Sequence, residues 1–171
     1  MIKRGSGILM HITSLPSRFG IGDFGPEAYR FADFLADTRQ SCWQILPLTP
    51  TDPMHGNSPY SSASSSAISP WMLSPELMIE GGYLSDSDLN SVPDFDIEKV
   101  DFQAVAEYKK TLLDRAFAHF QKNSHRAEYD RFCRDNVYWL DDFALFMILK
   151  RHFEGRAWNQ WPVEFLSLIH I

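Results

Sequence analysis

GILMHITSLPSRFGIGDFGPEAYRFADFLADTRQSCWQILPL, residues 7–48, sets two apolar runs on either side of a helical pattern. The first run, Gly7–Ile12, suits a short buried strand, and the second, Trp43–Leu48, closes on Pro47 and Pro50. Between them, Pro26 fits the first position of a helix, where its missing N–H is no loss, and Glu27 complements the positive end of the helix dipole. Ala28, Phe31, Ala32 and Leu35 then recur at i, i+3, i+4 and i+7, which gives that helix one apolar face. Two strands joined by a helix make a βαβ unit with parallel strands and a right-handed crossover. The fold class is α/β.

Working outward, the pattern meets a contradiction. Parallel strands need cover on both faces and neighbours on both edges, yet no further strand of this kind follows. From Gln40 to Pro75 the sequence carries one formal charge, Asp52, with nine serines and six of the ten prolines. Trp43, Tyr60, Ile68, Trp71 and Met72 are spread through it, so it reads as a structured excursion with a turn or short helix around Ser74–Gly81. Residues 84–99 are acidic and turn-rich, and Asp86–Asp96 reads as a solvated face. Beyond Asp101 the spacing predicts helices: one capped by Asp101 and running to Lys122, a second over Arg126–Arg134, and a third over Asp141–Phe153, ended by Gly155. In the first of these, Phe102, Val105, Leu112, Leu113, Ala116, Phe117 and Phe120 are the expected core positions, and Phe143–Leu149 reads as core in the third. Either the chain is incomplete or the strand reading fails. The last six residues, Leu166–Ile171 (LSLIHI), match the translation of a common transposase sequencing adapter, so genuine sequence is expected to stop near Phe165.

Composition narrows the function classes. A net charge of −6 without a Lys/Arg stripe argues against nucleic acid. The longest purely apolar run, Phe143–Leu149, has seven residues, against the roughly 20 of a spanning helix, so no membrane partner is expected. The N-terminus lacks the apolar segment and cleavage site of a secretory signal, and Cys42 and Cys133 read as buried free thiols, which makes cytoplasm the default compartment. His11 inside the first strand reads as a hydrogen-bonded core histidine. His119 and His125 lack the spacing of a helical metal pair, so neither a metal nor a cofactor is expected. Trp158 and Trp161 read as packing residues.

Four segments, in order, resemble the 4-α-glucanotransferases (amylomaltases) of glycoside hydrolase family 77. They are GSGILMHITSLPS (5–17) with FGIGDFGPEAYRFADF (19–34), WQILPLTPT (43–51), GNSPYSS (56–62), and Trp139–Pro162 with WLDDFALFMILK and GRAWNQWP. The resemblance implies the N-terminal part of a TIM-type (β/α)₈ barrel, of which the two strands would be the first. It divides the chain into barrel units at 1–55, a loop-rich insertion at 56–100, a helical insertion at 101–165 and a non-native tail at 166–171. The missing strands would then belong to sequence beyond this chain, since a bare barrel needs roughly 250 residues.

The implied activity is transfer of α-1,4-glucan segments from maltooligosaccharide or glucan donors to sugar acceptors by retaining double displacement. Its nucleophile and acid/base carboxylates are expected past the end of this chain, which leaves no catalytic residue here and an inactive fragment. Ser58 and Tyr60 of Asn57-Ser58-Pro59-Tyr60 are the implied substrate-binding residues, on the donor side of the cleft. The chain departs from the family at Ala63–Ala67, where aromatics are common, at Ile68-Ser69-Pro70, where Gly-Asn usually precedes the proline, and at His55, where some members place a glucan-binding tyrosine. Two other readings stay open. One is a stand-alone glucan-binding module. The other is a nucleotide-binding βαβ protein, because Gly20, Gly22 and Gly25 satisfy G-x-G-x-x-G, although Asp23 sits where a phosphate would approach and no acidic residue ends the second strand.

Overall fold

The computed structural model describes residues 4–122 and 126–166. Strands β1 (Gly7–Leu9) and β2 (Cys42–Gln44) lie side by side and parallel, with Gly7 opposite Cys42, Ile8 opposite Trp43 and Leu9 opposite Gln44. The ladder continues past both ends: the Ser41 N–H donates to Ser6 O at 2.7 Å and the Met10 N–H to Gln44 O at 3.0 Å. Helix α1 (Pro26–Asp37) links the strands, with Gly25 at its N-cap and Pro26 in its first turn. Ala28 and Leu35 are buried, and the Phe31 ring meets Trp43 edge-on at 4.8 Å, which docks the helix on the sheet. The α/β expectation holds.

The strands are less covered than expected. Leu9 is 57% exposed, Cys42 is exposed, and Ala32 on the apolar face of α1 is exposed as well. A two-stranded sheet with one helix against it leaves its other face and both outer edges open. The free thiols follow suit: Cys42 is exposed and Cys133 half-buried, so neither is the buried residue expected.

After β1 the backbone folds back on itself. A Cβ on Gly22 would stand 2.0 Å from Ile12 O, so only glycine lets the 19–25 loop press against the turn that follows the strand. Helix α2 (Pro75–Glu80) starts at Ser74, whose hydroxyl accepts the Leu77 N–H at 3.4 Å. Helix α3 (Phe102–Lys122) starts at Asp101, whose carboxylate accepts the Gln103 and Ala104 N–H groups at 3.0 and 3.1 Å. Its buried face is Val105, Lys109, Leu112 and Ala116. Leu112 and Ala116 form a core with Leu84, edged by Met78, Ile79, Tyr83, Leu89 and Tyr108. One turn away, Phe19 stacks on Tyr108 at 6.4 Å and Phe95 meets that ring edge-on at 5.7 Å.

Helices α4 (Arg126–Asp135), α5 (Leu140–His152) and α6 (Val163–Leu166) complete the described chain. Leu166 ends α6, and the rest of the expected tail, like His125, lies outside the described residues. Glu154 and Gly155 both take positive φ (55° and 79°), and the Gly155 N–H closes α5 on Lys150 O at 2.8 Å. Trp161 packs as expected, 4% exposed against Phe146 and Phe153, whereas Trp158 is half exposed.

Three packing expectations need correction. Phe117 points outward at 59% exposure, because the burying stripe of α3 runs through Lys109 instead. The Phe143–Leu149 run buries Leu149 but exposes Met147 and Ile148, since seven consecutive apolar residues encircle a helix and cannot all meet one neighbour. The acidic stretch is solvated at Asp86, Asp94 and Asp96, but Asp88 turns inward, accepting the Ser85 N–H at 2.9 Å and lying 3.4 Å from Arg115. The α3 face gives a direct check: Leu112→Ala should cost about 2–5 kcal/mol in urea denaturation. Phe117→Ala should stay within about 0.5 kcal/mol. Equal losses would mean that the helix is rotated from the position described.

Candidate functional site

Both parallel strands point their carboxyl ends the same way, and in α/β sheets ligands gather beyond those ends. There β1 runs into His11 and a 3-10 turn, Ile12–Ser14, and β2 runs on through Leu46 and Leu48 into the proline-rich excursion. His11 is 8% exposed; burial pushes its imidazole pKa down, so the ring is neutral and Nδ1 accepts the Leu46 N–H at 3.3 Å. That contact ties the two strand ends together, in keeping with the core histidine expected. A cavity of about 150 Å³ opens beside it, lined by His11, Thr51, Asn57, Pro59 and Trp71 among others.

The Asn57-Ser58-Pro59-Tyr60 segment is built by its own backbone chemistry. Asp52 starts a 3-10 turn, Pro53–His55, its carboxylate accepting the Met54 N–H at 3.0 Å. Gly56 and Asn57 then take consecutive left-handed conformations (φ 64° and 55°), which glycine and asparagine tolerate best. This reversal returns the Asn57 N–H to Asp52 O at 3.0 Å. Thr51 donates to the Asn57 side chain at 3.3 Å, and Thr49 donates to Pro59 O at 3.4 Å. Ser58 is half-buried and its hydroxyl accepts the Tyr60 N–H at 3.3 Å. Tyr60 projects outward, 74% exposed. The two expected substrate-binding residues therefore share one turn, with a hydroxyl inside it and a ring standing free above it.

The same turn is anchored sideways to α5. Asp52 pairs with Lys150, and His55 Nδ1 lies 3.5 Å from the same carboxylate. Partial burial disfavours the charged Asp52, but hydrogen bonds from Lys150 and the Met54 N–H outweigh it and hold the carboxyl below its usual range. Between loop and helix lies a cavity of about 620 Å³, walled by Pro50, Met54, Met147 and Ile148. The serine run is ordered too: Ser64 Oγ accepts the Ser66 and Ala67 N–H groups at 3.1 and 3.0 Å.

The glycine-rich segment does not present a phosphate cradle. Asp23 is 6% exposed, and its carboxylate accepts the Gly25 N–H at 3.0 Å at the start of α1. Its other oxygen lies 3.2 Å from Lys109 Nζ, which also donates to Trp71 O at 2.6 Å and Leu73 O at 2.9 Å. Burial pushes the Asp23 carboxyl up and the Lys109 ammonium down, and each partner partly offsets that shift in the other. The position that an anion would need is filled by the chain's own carboxylate. Sequence reasoning missed this pair, although a lysine in the 105–109–112–116 stripe is a legible signal. Among the described residues, no cluster of His, Cys, Asp and Glu could hold a metal ion, and no helix is long and apolar enough to cross a membrane.

Comparison with known proteins places this geometry in context. The sequence profile of a glycoside hydrolase 77 family, described as 4-alpha-glucanotransferase, matches residues 10–168. A 4-alpha-glucanotransferase of Synechocystis sp. is 49% identical over 165 residues, covering 95% of this chain and 32% of the relative. One from Aquifex aeolicus is 45% identical, covering 94% of this chain and 32% of the relative. The solved amylomaltase of Streptococcus agalactiae in complex with acarbose superposes with a TM-score of 0.87 at 41% identity, covering 95% of this chain and 33% of that one. The chain thus spans about a third of the length of the curated relatives it matches.

The Asp52–Lys150 anchor carries its own pH dependence. A carboxyl whose folded pKa is lowered stabilises the fold above its unfolded pKa of about 3.9 and loses that contribution as pH falls through the lower folded value. Lys150→Met should cost about 1–3 kcal/mol at pH 6. It should also flatten the acid limb of stability below about pH 4. An unchanged acid limb in thermal melts of the variant would mean that the pair does not anchor the turn.

Proposed function

The chain belongs to the 4-alpha-glucanotransferase family, glycoside hydrolase family 77, and on that premise we propose that the protein containing it transfers α-1,4-glucan segments between maltooligosaccharides or glucans and sugar acceptors. The observation that carries the proposal for this region is the Ser58–Tyr60 turn, seated past the carboxyl ends of two parallel strands. In this reading residues 1–55 contribute the first two strands of a (β/α)₈ barrel, 56–100 form a loop insertion over its mouth and 101–165 a helical insertion. The open outer edges of β1 and β2 would pair with the remaining strands. Cytoplasm is the proposed compartment.

Ser58 and Tyr60 contribute to the donor side of the cleft. An exposed tyrosine ring covers the apolar C–H face of a glucose ring, and its hydroxyl reaches the sugar's polar rim. The Ser58 hydroxyl accepts one bond from the turn and retains its own proton to donate to a sugar oxygen. Asp52, Gly56 and Asn57 hold that turn closed before substrate arrives, so little ordering entropy is lost on binding.

Retaining chemistry needs a carboxylate nucleophile and a carboxylic acid/base about 5–5.5 Å apart. We assign neither to this chain. The buried Asp23 is engaged by Lys109 and the Gly25 N–H, which also counts against the nucleotide-binding alternative. Acarbose in the S. agalactiae relative supports a carbohydrate as the ligand class.

Two measurements test this reading. Tyr60→Ala in the complete enzyme should lower kcat/KM for maltotriose disproportionation about 10- to 1000-fold, with the fold intact. Unchanged kinetics would remove Tyr60 from the site. The isolated 171-residue chain should release no glucose from maltotriose; release would require catalytic carboxylates within it.

A further inference from the structure

Lys109 lies on α3, far along the chain from the glucan-binding turn, yet its ammonium sits where the β1–α1 loop meets the segment on which the excursion returns. The side chain is 3% exposed. Its three protons meet three acceptors: Asp23 of the β1–α1 loop, and the main-chain oxygens of Trp71 and Leu73. Those two carbonyls belong to the segment on which the excursion returns. The Ser69 N–H donates to Leu48 O at 2.8 Å, joining the outgoing and returning limbs of the excursion at its base. Phe24 N–H donates to Met72 O at 3.0 Å, tying the same return segment to the loop that holds Asp23. Ser69, Trp71 and Met72 then share the 150 Å³ cavity with Asn57 and Pro59 of the turn.

From this geometry we infer that Lys109 is a positioning residue for donor binding. It fixes the return segment 69–73, and through that segment the placement of Ser58 and Tyr60. The inference rests on the glucan-binding reading of that turn. Lys109 itself is remote from the sugar, because its ammonium is saturated by protein acceptors. The helical unit would thereby set the geometry of the donor side without touching the ligand.

A double-mutant cycle in the complete enzyme tests this, with maltotriose as donor and labelled glucose as acceptor. Lys109→Met should lower kcat/KM about 10- to 100-fold in the wild-type background, by the cost of misplacing a binding group. In a Ser58→Ala/Tyr60→Ala background the same change should lower it less than about threefold, because both residues through which it acts are gone. The KM for donor should rise while the KM for acceptor glucose stays level; general loosening of the fold would move both. Equal losses in the two backgrounds, or no loss in either, would overturn the proposal. If Lys109→Met yields no folded enzyme, Lys109→Arg takes its place in the cycle, and additive losses there are equally fatal. Full activity of Tyr60→Ala alone would instead remove the underlying reading, a result visible before any change at Lys109.

Discussion

A single buried ammonium joins α3 to the β1–α1 loop and to the segment that returns from the excursion. Lys109 reaches from a long helix into a gap between two irregular segments, and irregular segments carry carbonyl groups with no partner of their own. An apolar side chain there would leave Trp71 O and Leu73 O unsatisfied. A lysine satisfies both, but its charge then needs a counterion, which Asp23 supplies at 3.2 Å. Such an arrangement contributes little beyond what well-packed hydrophobic residues would. Removing one member, however, leaves an uncompensated charge, a loss of about 3–5 kcal/mol. Its value lies in geometry: it admits one relative placement of α3, the β1–α1 loop and the return segment.

From that junction the hierarchy runs upward. The two strands give direction, because parallel pairing sends both carboxyl ends to one side. Gly22 allows the first loop to lie flat on the turn that follows β1, and His11 joins the two strand ends through a neutral nitrogen. The excursion rises from that base. Its tip is shaped by Asp52, Gly56 and Asn57, so the exposed Tyr60 ring rests on ordered backbone.

Much of this was legible in the sequence. Apolar runs located β1 and β2, though both strands are shorter than the runs, periodicity located α1, and residues with capping chemistry marked Asp101 and Gly155 as boundaries. Burial was less so. Apolarity marks a strand but not what covers it, and a two-stranded sheet with one helix against it leaves Cys42 and Leu9, which read as interior, open. A helix with phenylalanines on several faces does not say which one wins, and on α3 a lysine took the interior while Phe117 did not. Nor can a short motif tell which of its groups faces the turn; the inward hydroxyl of Ser58 and outward ring of Tyr60 required φ values and hydrogen bonds.

The short bond between Ser69 and Leu48 has one more consequence. It closes the neck of a twenty-residue appendage, which the Asp52–Lys150 pair then fastens a second time, to α5. Lengthening a closed loop is inexpensive, about 0.6 kcal/mol for each doubling. The serine-rich shoulder at 61–66, which lies between those two fastenings, can therefore lengthen at small cost to the scaffold. Variation in the loop and persistence of the architecture thereby become separable traits, divided at one main-chain contact and one ion pair.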